Sequence, residues 1–441
     1  MIVTFIMPSV GKQKNGKYVK TWVMEPLGIA ALSALTPSGV EKVFFDDRIE
    51  AVDYDHQTDL VAINVEAYTA KRAYNIASKF RELKVPVIMG GFHATLMPDE
   101  ILEHADSVMI GEADNYWPDI VRDASNGSLK KVYKCMDKPD LSNLFPDRSV
   151  YKDKKYIDIN LVETGRGCKF DCEFCSISAF FNKKYTHRPV EDIIEEIRRI
   201  KAKFVFFVDD NIGADKKRAV ELFTALKYLN VKWFSQISMH VYQDDEFLSL
   251  MHESGCVGVL IGFESLNENI LKSMNKNVNQ IKNTYSNVIK QFHKHRITIY
   301  ATFVFGYDDT EESFEEVYRF GIDNKLFYVA FNHLVPFPGT KLYARMDNEG
   351  KLLYKKWWLE DNYHFGEVVF EPNNMSAQKL AATCFAYRYK FFRVMSVFKR
   401  VVNFRVYFQS VRVLLAYFMI NLTANRETKS RSILRIGAGD D

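Results

Sequence analysis

The chain has 441 residues, 47% of them hydrophobic and 26% charged. That length implies two or three domains at ~100–200 residues each, and that balance belongs to a folded globular protein. Lys and Arg number 59 against 56 Asp and Glu, an excess too small to point to nucleic acid or another polyanion as a partner.

The first eight residues, Met1 to Pro8, are apolar with no basic leader or small-residue cleavage site, so they read as a buried strand. No stretch reaches the ~18 uninterrupted apolar residues that a membrane span needs. The six cysteines are not spaced as a disulfide framework. A cytoplasmic, reduced protein without a transmembrane segment is expected.

Residues 1–130 alternate short apolar runs with helical patterns. Strands are expected over 2–7, 42–45, 60–65, 85–89 and 107–110, with helices beginning near Pro26, Thr69, Pro98 and Asn115. Strands that are apolar on both faces and separated by helices predict a doubly wound parallel sheet, which binds ligands beyond its carboxyl ends. A polar stretch over 131–155, with Pro139 and Pro146, reads as a linker.

A second alternation follows over 156–350. Strands are expected at 156–162, 204–208, 231–238, 257–263, 297–305 and 328–334. Helices are expected at 190–201, 216–229, 245–253, 280–295 and 310–324. Six strand–helix units predict a partial or complete barrel. Residues 351–441 then read as a mostly helical region with a loose polar tail from Thr428. Within it, 385–422 holds seven basic residues, eleven aromatics and no acidic residue. That composition suits either a helical bracket packed on the barrel or a basic amphipathic surface touching a membrane or an amphipathic partner.

The segment Glu163-Thr-Gly-Arg-Gly-Cys168-Lys-Phe-Asp-Cys172-Glu-Phe-Cys175 lies just after the first strand of the second domain, where a barrel places its chemistry. A zinc site usually takes four ligands, and neither a histidine nor a fourth cysteine lies at zinc spacing. A [4Fe–4S] cubane with three cysteine ligands keeps one iron open to an exogenous ligand.

This C-x₃-C-x-aromatic-C pattern resembles the radical SAM superfamily. The resemblance implies that Cys168, Cys172 and Cys175 hold a [4Fe–4S] cluster, with Phe174 beside the adenine of S-adenosylmethionine (SAM). It also implies reductive cleavage of SAM to a 5′-deoxyadenosyl radical that abstracts hydrogen. Asp209 and Asp210 end the second barrel strand, where the superfamily binds the methionine amino end. Gln236 and Ser238 follow on the third strand. Glu264 ends the fourth, at the position that contacts the SAM ribose or carboxylate. Phe305-Gly306-Tyr307 and Pro336 to Thr340 are similar to later segments of the same barrel.

A doubly wound domain ahead of such a barrel resembles the cobalamin-binding subclass. The implied cobalamin contacts are Pro8, Ser9, Tyr68, Thr69, Gly90, Gly91, His93, Gly111 and Glu112. The D-x-H-x-x-G motif that supplies a histidine to cobalt is absent, and His56 has the wrong neighbours. His93 is therefore expected to hydrogen-bond the corrin or its phosphate instead. The resemblance implies a cobalamin-dependent C-methyltransferase acting on a small-molecule or peptide substrate. A non-methylating radical cyclase or rearrangement enzyme is the alternative. A low-potential flavodoxin or ferredoxin is the expected electron donor.

Overall fold

The computed structural model describes residues 1–12, 23–276, 279, 285–409, 411–431 and 434–438. Six parallel strands form the first sheet: β1 (Ile2–Met7), β2 (Glu41–Asp46), β3 (Leu60–Asn64), β4 (Val87–Gly90), β5 (Ser107–Ile110) and β6 (Val132–Lys134). Their order is β2-β1-β3-β4-β5-β6. β3 is buried along Leu60 to Ile63, because helices cover both faces of the sheet. The order reverses between β1 and β3, and such a switch point opens a crevice at the carboxyl ends.

β6 corrects the linker reading. Residues 132–134 add an edge strand parallel to β5, with Tyr133 buried between two exposed neighbours. The rest of the connection is pinned rather than free. Arg148 sits 2.6 Å from the Leu161 carbonyl, 2.8 Å from Glu196 and 3.2 Å from Glu25.

A second sheet begins at β7 (Asn160–Val162), followed by a short antiparallel hairpin of β8 (Gly165–Gly167) and β9 (Tyr185–His187). It continues through β10 (Phe204–Phe207), β11 (Lys232–Gln236), β12 (Cys256–Glu264), β13 (Thr298–Phe305) and β14 (Tyr328–His333). The order β14-β13-β12-β11-β10-β7 puts consecutive strands side by side, all parallel, and the two edges do not pair with each other. That is a partial six-stranded barrel.

The intervening helices are set locally. Asp215 caps the helix Lys216–Leu226 by accepting from the Arg218 N–H, and Thr310 and Ser313 form a reciprocal capping box on Glu311–Asp323. The expected helix over 280–295 is seen as Tyr285–Lys294, and 280–284 lie outside the described residues. Phe223, Trp233, Phe263, Phe303 and Phe331 are fully buried within one continuous barrel core.

After the barrel, the helix Ala377–Phe391 packs on β14, and the helices Val394–Val401 and Val411–Arg431 pack beyond it. The tail departs from the loose segment expected after Thr428. Helix continues to Arg431, and Leu434 and Ile436 are buried against the first domain. Backbone N–H groups of Phe365, Ile436 and Gly437 donate to Leu434, Tyr363 and Val10 carbonyls. Two apolar side chains flanking Arg435 give this strap enough buried surface to hold it. Residues 432–433 and 439–441 lie outside the described residues.

Candidate active site

The cysteine loop leaves the hairpin strand β8, and its glycines are there for space. Gly167 has φ +85°, and a Cβ on it would strike the Lys184 carbonyl on the facing side of the hairpin. Cys175 then precedes the helix Ser176–Phe181. Burial raises all three thiols, Cys172 to about 11. N–H groups of Ile177 and Ser178 at that helix start pull Cys175 back, and the Phe170 N–H and the Asn211 amide do so for Cys168. Ready-made donors aimed at sulfur favour the thiolate that an iron–sulfur cluster binds. No three His, Cys, Asp or Glu among the described residues converge as tightly as a single ion demands. The donor set remains three thiols on one loop, which suits a cluster with one open iron.

Five of the six SAM-contact residues expected beside this loop lie at the strand ends around it, and the sixth, Phe174, is on the loop itself. Gly167 N–H donates to Asp210 Oδ2 at 2.9 Å, and Gln236 Nε2 donates to the Asp210 carbonyl at 2.9 Å. The Ser238 N–H donates to Asn211 Oδ1 at 3.2 Å. Burial pushes Asp210 up to about 6. Asp209 is different. Both its oxygens are taken by Thr164, at 2.5 Å from Oγ1 and 2.9 Å from N–H, and it is buried with its carboxyl pushed up to about 7. It ties the end of β10 to the start of the cysteine segment.

Glu264 is buried with φ +63°, at an irregularity in the pairing of β12 with β13. A bulky side chain in left-handed backbone is costly, and such strain gathers at functional sites. Its carboxylate meets Lys276 Nζ at 2.8 Å. Lys276 Nζ also lies 5.9 Å from the Phe174 ring centroid, and its charge acts on all three thiols. Burial disfavours the ammonium, yet Glu264 and Cys172 outweigh burial and raise its pKa. Sequence reasoning missed Lys276, because it comes from a loop twelve residues past Glu264 with no motif of its own.

A cavity of about 580 Å³ opens at the switch point of the first sheet. Pro8 and Ser9 after β1, Tyr68 and Thr69 after β3, and His93 line it, as does Glu66, whose carboxyl burial pushes up to about 7. Gly90, Gly91 and Gly111 line instead a smaller space of about 80 Å³ between the strand ends and Trp117. Glu112 lines neither and is bound to Arg166 at 3.1 Å.

Ser9 is held by Asp47, which accepts from its hydroxyl at 2.6 Å and its N–H at 3.0 Å, while Arg72 grips both Asp47 oxygens. His93 Nε2 lies 3.1 Å from Glu100 Oε1, and its Nδ1 is buried without a partner among the described residues. Burial alone would raise Glu100, but hydrogen bonds from His93, Trp358, Tyr74 and Lys356 bring it down to about 2. The carboxylate thus orients the His93 imidazole at the cavity wall.

The cavity also reaches the second domain. Ser176, directly after Cys175, lines it together with Phe337, Pro338, Phe365 and Leu434. Phe92 packs against Phe180 with ring centroids 4.5 Å apart and planes tilted by 34°, joining the first domain to the helix after the cysteines. Leu434 and Phe365 carried no sequence signal as site residues.

A family model described as "Radical SAM superfamily" matches residues 162–321. Bacteriochlorophyllide d C-12(1)-methyltransferase of Chlorobaculum tepidum is 32% identical over 394 residues, covering 86% of this chain and 85% of that protein. The chain belongs to the radical SAM superfamily. Its doubly wound first domain ahead of the barrel is the domain order of the cobalamin-binding subclass. Bacteriochlorophyllide d C-8(2)-methyltransferase of the same organism is 28% identical, covering 75% of this chain and 78% of its own. Among solved structures, the cobalamin-dependent SAM radical enzyme OxsB, with aqua-cobalamin and SAM bound, superposes with a TM-score of 0.65. It is 13% identical and covers 97% of this chain and 72% of its own. At that identity the likeness is one of fold.

Proposed function

We propose that this radical SAM enzyme is a cobalamin-dependent C-methyltransferase whose substrate is a cyclic tetrapyrrole. One observation carries the reading. The cavity at the first domain's switch point is shared by Ser9, Tyr68 and His93 on one side and by Ser176, next to Cys175, on the other. Two cofactor sites thus face each other across one space. The tetrapyrrole is supported by the two bacteriochlorophyllide methyltransferases that the chain resembles over three quarters or more of its length.

When bound, the [4Fe–4S] cluster, SAM and cobalamin supply the electron, the hydrogen-abstracting radical and the methyl group. Cys168, Cys172 and Cys175 hold the cluster, and Phe174 flanks the adenine. Asp210 and Gln236, with Ser238 nearby, offer oxygens to the ammonium end of SAM, while Lys276, steadied by Glu264, offers a cation to its carboxylate. Asp209 is a brace, since both its oxygens serve Thr164. Pro8, Ser9, Tyr68, Thr69 and His93 cradle the corrin. Gly90, Gly91 and Gly111 leave bare backbone at the strand ends that the cofactor can approach, and Glu112 steadies the cysteine hairpin through Arg166. The aromatic walls Tyr68, Phe92, Phe337 and Phe365 exclude water from the shared space. A low-potential flavodoxin or ferredoxin delivers the electron.

The test is product analysis after anaerobic reconstitution with iron, sulfide, cobalamin, SAM and a bacteriochlorophyllide. Methyl transfer gives S-adenosylhomocysteine and 5′-deoxyadenosine together with a product heavier by one methylene. Release of 5′-deoxyadenosine alone would leave the non-methylating alternative standing.

A further inference from the structure

The helices Val394–Val401 and Val411–Arg431 are apolar on the side that faces away from the protein. Inward, Val397, Val401 and Tyr417 form a small core, and Tyr417 Oη donates to the Val397 carbonyl at 2.7 Å. Outward, Val394, Phe398 and Val402 follow one another at four-residue spacing, as do Val411, Leu415 and Met419. All six are at least half exposed, Val411 at 73%. A helix that packs one apolar face and bares another is incompletely covered.

Charge tells what covers it. From residue 372 to 426 the chain has no Asp or Glu. Arg393 and Lys399 are exposed beside the apolar rows, whereas Arg400 is buried and spent on the Leu326 and Phe327 carbonyls. A two-fold contact between copies would set this face on itself and bring like charges together without a carboxylate to offset them. An anionic lipid surface suits both halves of the pattern, accepting apolar side chains below its headgroups and Arg and Lys among them. No described helix is long and apolar enough to cross a membrane, so the two helices lie on it.

We infer that this face docks the enzyme onto an anionic membrane surface. Arg400 and Tyr407 anchor the helices to the carbonyls of Lys325, Leu326 and Phe327, just before β14 begins. That is the end of the barrel opposite the cysteine loop. Docking there leaves the cofactor cavity unobstructed and holds the enzyme where an apolar substrate accumulates.

The experiment is flotation of the reconstituted holoenzyme with vesicles of phosphatidylcholine alone or with one quarter phosphatidylglycerol. The expected result is about tenfold stronger retention on the anionic vesicles, lost at high salt. The Phe398→Glu/Leu415→Glu double variant should lose retention while keeping its iron–sulfur absorbance and its cleavage of SAM. A second variant, Lys399→Glu, probes charge without touching apolar packing and should weaken retention. Equal retention on both vesicles, or none, overturns the proposal. So does a concentration-dependent dimer of the wild type, seen by light scattering, that Phe398→Glu abolishes.

Discussion

Arg166 Nη1 lies 2.7 Å from Asp114 Oδ2, tying the hairpin that bears the cysteine loop directly to the strand-end loop of the first domain. The same guanidinium reaches Glu112 at 3.1 Å and Glu163 at 2.8 Å, so one cation serves three carboxylates that are all largely shielded from water. Removing it leaves their repulsion uncompensated. Arg166→Ala should cost about 3 kcal/mol in chemical denaturation, and Arg166→Lys should recover only part because an ammonium cannot fork between partners.

Lys276 is the cation whose charge reaches all three cluster thiols. Lys276→Met should lower SAM cleavage about 10–100-fold and move the cluster's reduction potential to more negative values, since a nearby positive charge favours the reduced form. Redox titration followed by electron paramagnetic resonance reads the shift. An unchanged potential would remove Lys276 from the cluster's surroundings.

Cys172→Ala should abolish the iron–sulfur absorbance while corrin bands persist, because the cysteine loop and the strand-end cradle are built from different domains. Loss of both chromophores together would mean the two sites do not fill independently. Absorbance spectra of the reconstituted variant decide it.

Gly91 has φ +100°, and a Cβ there would meet Asn64 Oδ1 and lie 2.9 Å from the Val65 carbonyl. Gly91→Ala should cost about 2–3 kcal/mol and should also weaken cobalamin retention, since the loop after β4 must shift. Thermal melts with and without cobalamin separate the two effects.

Burial raises the carboxyls of Glu66 and Asp209 to about 7. A carboxyl whose folded pKa exceeds its unfolded one binds its proton more tightly when folded. Its favourable contribution is present below the unfolded pKa and is lost as pH climbs through the folded value. In the cofactor-free protein these two carboxyls favour the fold as pH falls from about 8 to about 6. His293 and His333, whose burial lowers them to about 4, act the other way. The readout is therefore the difference between wild type and Asp209→Asn, which should lose part of its stability at about pH 6 relative to about pH 8. A wild-type minus Asp209→Asn difference in melting temperature that is the same at about pH 6 and about pH 8 would show that Asp209 is not raised.

The alternation of apolar runs and helical patterns determined both sheets apart from the edge strand β6. Strands buried on two faces are predominantly apolar along their length, whereas an edge strand with one buried side chain between two exposed ones is not. The spacing of Cys168, Cys172 and Cys175 placed the cluster loop, since neighbouring ligands on one loop remain neighbours in any fold. Lys276, Arg166 and Leu434 became site residues only in the tertiary structure. Each acts across a turn or between domains, and no local period or spacing records a partner so distant in the chain. Asp209 and Asp210 make the same point at a single step of sequence. They are equal as letters, but packing closed one onto Thr164 and left the other at the edge of the cysteine loop. Chain chemistry chose the donors, and burial and approach distance decided what each one does.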